Sequence, residues 1–244
     1  MPGGYSLRAF DCLDSTNAEC ARLAGAGEGG NIWVMAGAQS AGRGRRGRAW
    51  VSRSGNLFAS LLYAIDCDLA QASQLSFVAA LAVRDVVADM LQANEAVTCK
   101  WPNDILVGGR KVAGILLETA GQGGTSPSHV IIGIGINLAH HPENPHFPAT
   151  SLTDEGLPDS APTDVMERLI LSMCHWTNIW KDHGFTRIRS AWKERASGLG
   201  KEIIVRLPDE ELRGQFVDLD KDGALILALE GERRHITAGD VFFT

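Results

Sequence analysis

Apolar and polar positions alternate over residues 7–13 closely enough to predict a short strand. Residues 14–19 follow as a helix start, with Thr16 and Glu19 at the spacing of a capping box, in which each side chain can bond the other residue's backbone N–H. Glycines between 25 and 30 end that helix, and residues 32–36 form a buried strand. A further strand is expected over 56–64. From 72 to 91 the apolar residues Leu75, Val78, Ala79, Ala82, Val86 and Met90 recur at helical spacing, which predicts one amphipathic helix. Strands over 104–107 and 111–118 flank Gly108 and Gly109, a pair suited to the positive φ angles of a tight hairpin, so Lys111 falls just past a turn. Residues 129–138 are apolar and rich in Ile and Gly, the pattern of a central strand that another group approaches closely. A proline-containing loop over 141–162 precedes helices over 163–183 and 186–196. Beyond residue 201 short strands over 203–207, 212–219, 224–229 and 234–237 are separated by turn signals, which predicts a small β-barrel. So short a segment buries too little surface to be secure alone and should pack on the larger domain.

Composition refines this outline. A chain of 244 residues, 45% hydrophobic and 21% charged, is an ordinary globular protein long enough for one large domain and a small appendage. A formal net charge of -6 argues against a surface that binds nucleic acid or anionic membrane as a whole. The five cysteines, Cys12, Cys20, Cys67, Cys99 and Cys174, are scattered and form no C-x-x-C, so neither a disulfide framework nor a zinc site is suggested. Residues 1–7 lack the regions of a signal peptide and no apolar run is long enough to span a bilayer, so the expected compartment is the cytoplasm.

Against that acidic background one segment stands apart. Gly42, Arg43, Gly44, Arg45, Arg46, Gly47 and Arg48 set four arginines among three glycines, Arg53 follows, and no Asp or Glu occurs from residue 29 to 65. Guanidinium groups grip phosphate and carboxylate bidentately, and glycines let backbone N–H groups approach a ligand while leaving the loop costly to order. Alone, the loop fits a solvated turn or an arginine-glycine segment that binds RNA as well as it fits a lid over a small anion. Its place between two predicted strands, with Trp50 two residues beyond and the rest of the chain not basic, weighs against RNA binding.

Residues 39–50, from Gln39 through Arg43 and Arg48 to Trp50, closely resemble the signature loop of biotin protein ligases. Three further blocks match in order: Ser15-Thr16-Asn17, then Lys100-Trp101-Pro102-Asn103-Asp104 with residues 110–116, and then Gly133-Ile134-Gly135-Ile136-Asn137. The resemblance implies an α+β fold: a mixed-sheet catalytic domain of the class II synthetase-like type over residues 1–198, followed by an SH3-like barrel over 199–244. It implies an enzyme that joins biotin to the α-phosphate of ATP, releases pyrophosphate, and passes biotin from biotinyl-5'-AMP to a lysine of a biotin carboxyl carrier protein. Because the first step brings two anions together, cations and Mg²⁺ aimed at the developing charge are the main requirement.

The same resemblance distributes the roles. Ser15, Thr16, Asn17 and Gln39 would hold the ureido ring of biotin. Gly42, Arg43, Gly44, Arg45, Arg46, Arg48 and Lys111 would surround the carboxylate and phosphates, with Arg45, Lys111 and Asp104 as the catalytic set. Trp50 would stack on adenine or else serve as a core tryptophan; Asn137 would bond adenine or else close a strand end. Gly114 and Gly135 would line the site beside Asn103. For Asp104, holding Mg²⁺, accepting the incoming lysine's proton and capping a turn stay open. No resident metal is expected. An exposed Lys111 should matter to adenylation far more than to folding. The arginine loop should be poorly ordered without ligand and ordered with the adenylate bound.

Other signals fail. Residues 218–223 begin like a calcium loop but place Leu229 where a bidentate Glu belongs, so they are a hairpin turn. The glycines at 133 and 135 begin a dinucleotide fingerprint that Leu138 breaks. His140, His141 and His146 lack the spacing of a metal site. With about six residues ahead of the first strand, a DNA-binding helix-turn-helix is not expected. The family pattern admits a homodimer, and a lipoate ligase shares the fold and reaction type.

Overall fold

The computed structural model describes residues 4–120, 128–143, 147–158 and 160–243. Seven strands, β1 (Ser6–Leu13), β2 (Ile32–Gln39), β3 (Leu57–Ala64), β4 (Val97–Lys100), β5 (Asp104–Val107), β6 (Arg110–Ala120) and β7 (His129–Ile136), form one sheet in the order β1-β2-β3-β7-β6-β5-β4. Among the described residues β1 and β2 are the one parallel pair of this sheet, joined by the crossover helix α1 (Thr16–Gly25), and its other strand pairs are antiparallel, so the sheet is mixed as expected. Helices α2 (Leu69–Ser73), α3 (Leu75–Leu91) and α4 (Pro162–Glu194) follow, with α3 and α4 packed together beneath the sheet.

The apolar run of β2 is uninterrupted because both of its faces are covered. Trp33 and Met35 join the core under α3 and α4, whereas Ile32 and Val34 pack with Cys20 and Leu23 of α1. The same period of two puts Leu57, Ala59 and Leu61 of β3 below and Leu62 above. On β7 it sends Ile132, Ile134 and Ile136 below, leaving Gly133 and Gly135 on the upper face in line with Ile131. Next to α1 the upper surface is therefore a floor of glycine.

Local details depart from the sequence pattern. The cap of α1 is Ser15, whose hydroxyl accepts from Ala18 N, and not the box between Thr16 and Glu19; Glu19 pairs with Arg22 at 2.7 Å instead. The expected helix over 72–91 is two: Asp68 caps the short α2 by accepting from Gln71 N at 2.8 Å, and the chain restarts at Leu75. The helices expected over 163–183 and 186–196 abut at Gly184, where φ of 67° breaks the run. Strand β4 had no sequence signature. Gly108 and Gly109 do take positive φ, 53° and 81°, and turn β5 into β6.

Five antiparallel strands complete the chain: β8 (Glu202–Arg206), β9 (Glu211–Leu219), β10 (Leu225–Ala228), β11 (Arg233–Ile236) and β12 (Asp240–Phe243), in the order β11-β10-β9-β8-β12. This is an open SH3-like sheet with β11 and β12 at its edges, and β12 is a strand that the hydrophobic pattern does not announce. It packs on the larger domain as its size demands. Ile203, Phe216 and Leu225 lie in the same core cluster as Phe77, Phe185 and Trp192, and Phe77 meets both aromatic neighbours edge-on at 5.3 and 5.5 Å. Trp101, in the turn after β4, donates its indole N–H to Gly223 O at 3.1 Å. The turn over 218–223 is the expected hairpin, with Asp220 accepting from the backbone of Asp222 and Ala224. Among the described residues no helix is long and apolar enough to cross a membrane.

Candidate active site

A cavity of about 400 Å³ opens on the glycine floor, between α1, the arginine loop, the β4–β5 turn and the edge of β12. Its walls include Ser15, Thr16, Asn17, Gln39, Arg43 and Gly44. Farther along they include Arg45, Arg48, Trp50, Asn103, Asp104 and Lys111, with Gly114, Gly135 and Asn137. Of the residues given a role in the site from sequence, Gly42 and Arg46 lie outside the wall. Gly42 is the loop's stem: an added Cβ would collide with Ser52 Oγ and lie 2.8 Å from Trp50 O. Arg46 turns away to Asp240, 3.0 Å from its Oδ2.

One end of the cavity is neutral and polar. Gln39 Oε1 accepts from Thr16 N at 2.8 Å and from Thr16 Oγ1 at 3.2 Å, while Gln39 Nε2 donates to Ser52 Oγ at 2.9 Å. Beneath them the fully buried Ser60 hydroxyl lies 2.7 Å from Thr16 Oγ1 and 2.6 Å from Asn17 Oδ1. Asn17 Nδ2 donates to Glu118 Oε2 at 2.7 Å, and Arg43 closes on the same carboxylate at 3.1 Å. Ser15, Thr16 and Asn17 are themselves buried, so their polar atoms are fixed before any ligand arrives. Ser60, Ser52 and Glu118 were missed in the sequence. Ser60 is visible as the one serine of an apolar strand, and Glu118 as the alternate position after Gly114 and Leu116.

The other end is cationic. Lys111 Nζ pairs with Asp104 Oδ1 at 2.5 Å and stands 5.3 Å from the Trp50 ring centroid. Its side chain is only 25% exposed, which corrects the expectation of an exposed lysine: the hairpin that presents it also folds it inward onto β5. Arg45 donates to Asn103 Oδ1 and to Gly239 O, both at 3.3 Å, and its burial lowers its pKa from the ordinary value. Asn103 also donates to Ile115 O. Arg48 bonds Asp240 Oδ1 at 2.9 Å. The loop is thus a folded turn, bridged from Arg43 to Ala49 and tied to the C-terminal sheet through Asp240, a residue that no sequence signal marked.

Trp50 lies flat over the floor between the two ends. A Cβ on Gly135 would stand 2.5 Å from its Nε1 and Cε2, and one on Gly114 would stand 2.9 Å from its Cζ3. Its indole N–H is buried and finds no acceptor among the described residues. Asn137 is buried at the end of β7 and spends one amide proton on Thr150 O at 3.0 Å. Asp104 and Asp240 are the carboxylates of the cationic end, and among the described residues no three metal-ligating side chains gather. His141 pairs with Asp154 at 2.9 Å, and His146 lies outside the described residues.

Comparison with known proteins decides what this cavity belongs to. Residues 12–137 match the biotin/lipoate A/B protein ligase family and residues 198–244 match the biotin protein ligase C-terminal domain. The chain is 42% identical over 235 residues to a biotin–[acetyl-CoA-carboxylase] ligase of Paracoccus denitrificans, covering 94% of this chain and 97% of the relative.

The chain belongs to the biotin protein ligase family.

A second family member, a biotin–[acetyl-CoA-carboxylase] ligase of Mycobacterium tuberculosis, is 32% identical over 98% of this chain and 90% of its own length. Among solved structures, the biotin protein ligase from Aquifex aeolicus in complex with biotin and ATP superposes with a TM-score of 0.82 at 26% identity, over 97% of each chain.

Proposed function

We propose that the chain is an ATP-dependent ligase that forms biotinyl-5'-AMP from biotin and ATP and transfers the biotin to a specific lysine of a biotin carboxyl carrier protein. The observation that carries this reading is the division of one cavity into a preformed neutral network and a cluster of cations, with the glycine floor and Trp50 between them. A urea-like head needs fixed donors and acceptors, which Ser15, Thr16, Asn17 and Gln39 supply with Ser60 and Glu118 behind them. A carboxylate approaching a triphosphate needs positive charge already in place, which Arg45, Arg48 and Lys111 supply without reorganisation at the moment of reaction.

In the first step a carboxylate oxygen of biotin bonds to the α-phosphorus, the bond to the β-phosphate breaks, and its electron pair leaves with pyrophosphate. Asp104 positions the Lys111 ammonium for the charge that develops on the phosphoryl oxygens. Trp50, pinned against Gly135 and Gly114, offers an aromatic face for adenine, and Asn137 edges the same slot. Mg²⁺ enters with the nucleotide, in keeping with its habit of binding through one or two carboxylates plus substrate phosphates. In the second step the neutral amine of the carrier lysine attacks the acyl carbon, the bond from that carbon to the phosphate oxygen breaks with its electron pair leaving on AMP, and the amine's proton passes to solvent. Residues 1–198 would carry this chemistry, with residues 199–244 closing the cationic end.

The reading is tested by incubating the purified protein with Mg·ATP and a carrier domain, with and without biotin. Pyrophosphate release that depends on biotin, together with biotin on the carrier lysine, is the expected result. Absence of both refutes it.

A further inference from the structure

At the end of β4, Lys100 is 5% exposed and borders the cavity, yet among the described residues its ammonium has neither a carboxylate partner nor a hydrogen bond. Its Nζ rests 3.7 Å above the ring centre of Phe147, with Phe243 and Phe242 at 5.6 and 6.0 Å. Phe242 in turn stacks on Phe147 at 4.6 Å and carries Arg206 on its ring, also at 4.6 Å. A lysine is almost never buried without a counter-ion, because desolvating an ammonium costs far more than ring contacts return. The two nearby carboxylates are engaged elsewhere: Asp104 holds Lys111, and Asp240 holds Arg46 and Arg48. The protein has therefore built a fixed cation whose anion must come from a ligand in the cavity.

We propose that Lys100 binds the departing pyrophosphate, its ammonium donating to the β-phosphate oxygens as the bond from the α-phosphorus breaks. This rests on the ligase reading above and adds a residue and a subsite to it. The location fits: Lys100 lines the same cavity as Arg48 and Asp240, and its ammonium sits against Phe242 and Phe243 of β12, the strand that carries Asp240. The rings of Phe147 and Phe242 fix the ammonium from outside without neutralising it, so its charge remains available to the ligand.

The test is biotin-dependent exchange of labelled pyrophosphate into ATP, beside transfer of biotin from supplied biotinyl-5'-AMP to a carrier domain. Lys100→Met should raise the pyrophosphate KM by about 10- to 100-fold, the value of a lost charge-assisted hydrogen bond. Transfer from the supplied adenylate should stay within about threefold of wild type, because no pyrophosphate takes part, and Lys100→Arg should recover most of the exchange. Phe147→Leu, which keeps the charge and removes its ring support, should raise the same KM by about threefold or more, so the proposal stays testable if Lys100→Met does not fold. An unchanged pyrophosphate KM in either variant, or an equal loss of exchange and transfer in Lys100→Met, overturns the assignment. A wild-type protein with no exchange refutes the ligase reading itself, which an active wild type beside an unaffected Lys100→Met does not.

Discussion

Asp240 accepts a hydrogen bond from Arg48 at 2.9 Å across 192 residues of sequence, and so fastens the arginine loop to the C-terminal sheet. The same carboxylate holds Arg46 at 3.0 Å, so one side chain of β12 pairs with two of the loop's four cations and leaves a net positive charge. Both arginines are partly exposed, and pairs of that kind contribute about 0.2 to 1 kcal/mol each. Asp240→Asn should therefore barely move the melting temperature while opening the loop. Trypsin should cut at the loop arginines about fivefold faster in the variant. Biotin with ATP should protect the loop in wild type, and equal cutting rates with and without those ligands would rule out ordering by the adenylate.

Lys111 and Asp104 are a partly buried pair, so removing one partner strands the other. Lys111→Met should cost about 1 to 3 kcal/mol of stability, more than an exposed lysine would. Adding Asp104→Asn should return much of that stability without returning pyrophosphate exchange. Thermal melts beside exchange rates separate the two effects, and recovery of activity in the double variant would refute the role given to Lys111.

Gly135 has no side chain because Trp50 occupies the space. Gly135→Ala should displace the indole, change tryptophan fluorescence and raise the ATP KM, at a stability cost of about 1 to 3 kcal/mol from overpacking. Biotin binding at the neutral end should change far less. A variant with wild-type ATP KM would show that Trp50 does not form the adenine slot.

Ser60 touches no part of the cavity directly and acts through Thr16 and Asn17. Ser60→Ala leaves their polar atoms short of a partner, an effect of about 1 to 2 kcal/mol. The biotin Kd, measured by calorimetry, should rise about 5- to 30-fold while the ATP KM holds. Equal changes in both constants would mean general loosening of the fold.

Burial pushes the Lys100 ammonium down to about 8 from 10.5, with Lys111 and Arg48 acting in the same direction and Asp104 and Asp240 opposing. Two consequences follow in opposite senses. The kcat/KM for pyrophosphate should fall as pH rises through about 8, and Lys100→Arg should lack that limb. For stability, the unfolded chain holds this proton more tightly than the native one, so stability rises with pH between about 8 and 10.5. Relative to Lys100→Met the rise should reach about 3 kcal/mol in denaturant titrations, since each tenfold difference in proton affinity is worth about 1.36 kcal/mol. A flat difference across that window would contradict the buried cation.

The sequence by itself determined the mixed α and β order, the hairpin at Gly108 and Gly109, the glycine-bearing central strand and the family. Each is written in neighbouring residues: a period of two or 3.6, a turn pair, or an ordered motif. It also named most of the cavity wall, since the motifs that carry the resemblance lie together on the upper face of the sheet. Only the tertiary structure decided what holds those residues. Ser60 on β3, Glu118 on β6 and Asp240 on β12 meet partners 43, 75 and 192 residues away. Contacts across such distances are set by strand order, and strand order leaves no local periodicity to read. Lys100 shows the difference most sharply. In the sequence it is the first letter of a motif; in the fold it is a buried cation, because β12 and residue 147 bring aromatic rings over it where a carboxylate would otherwise stand.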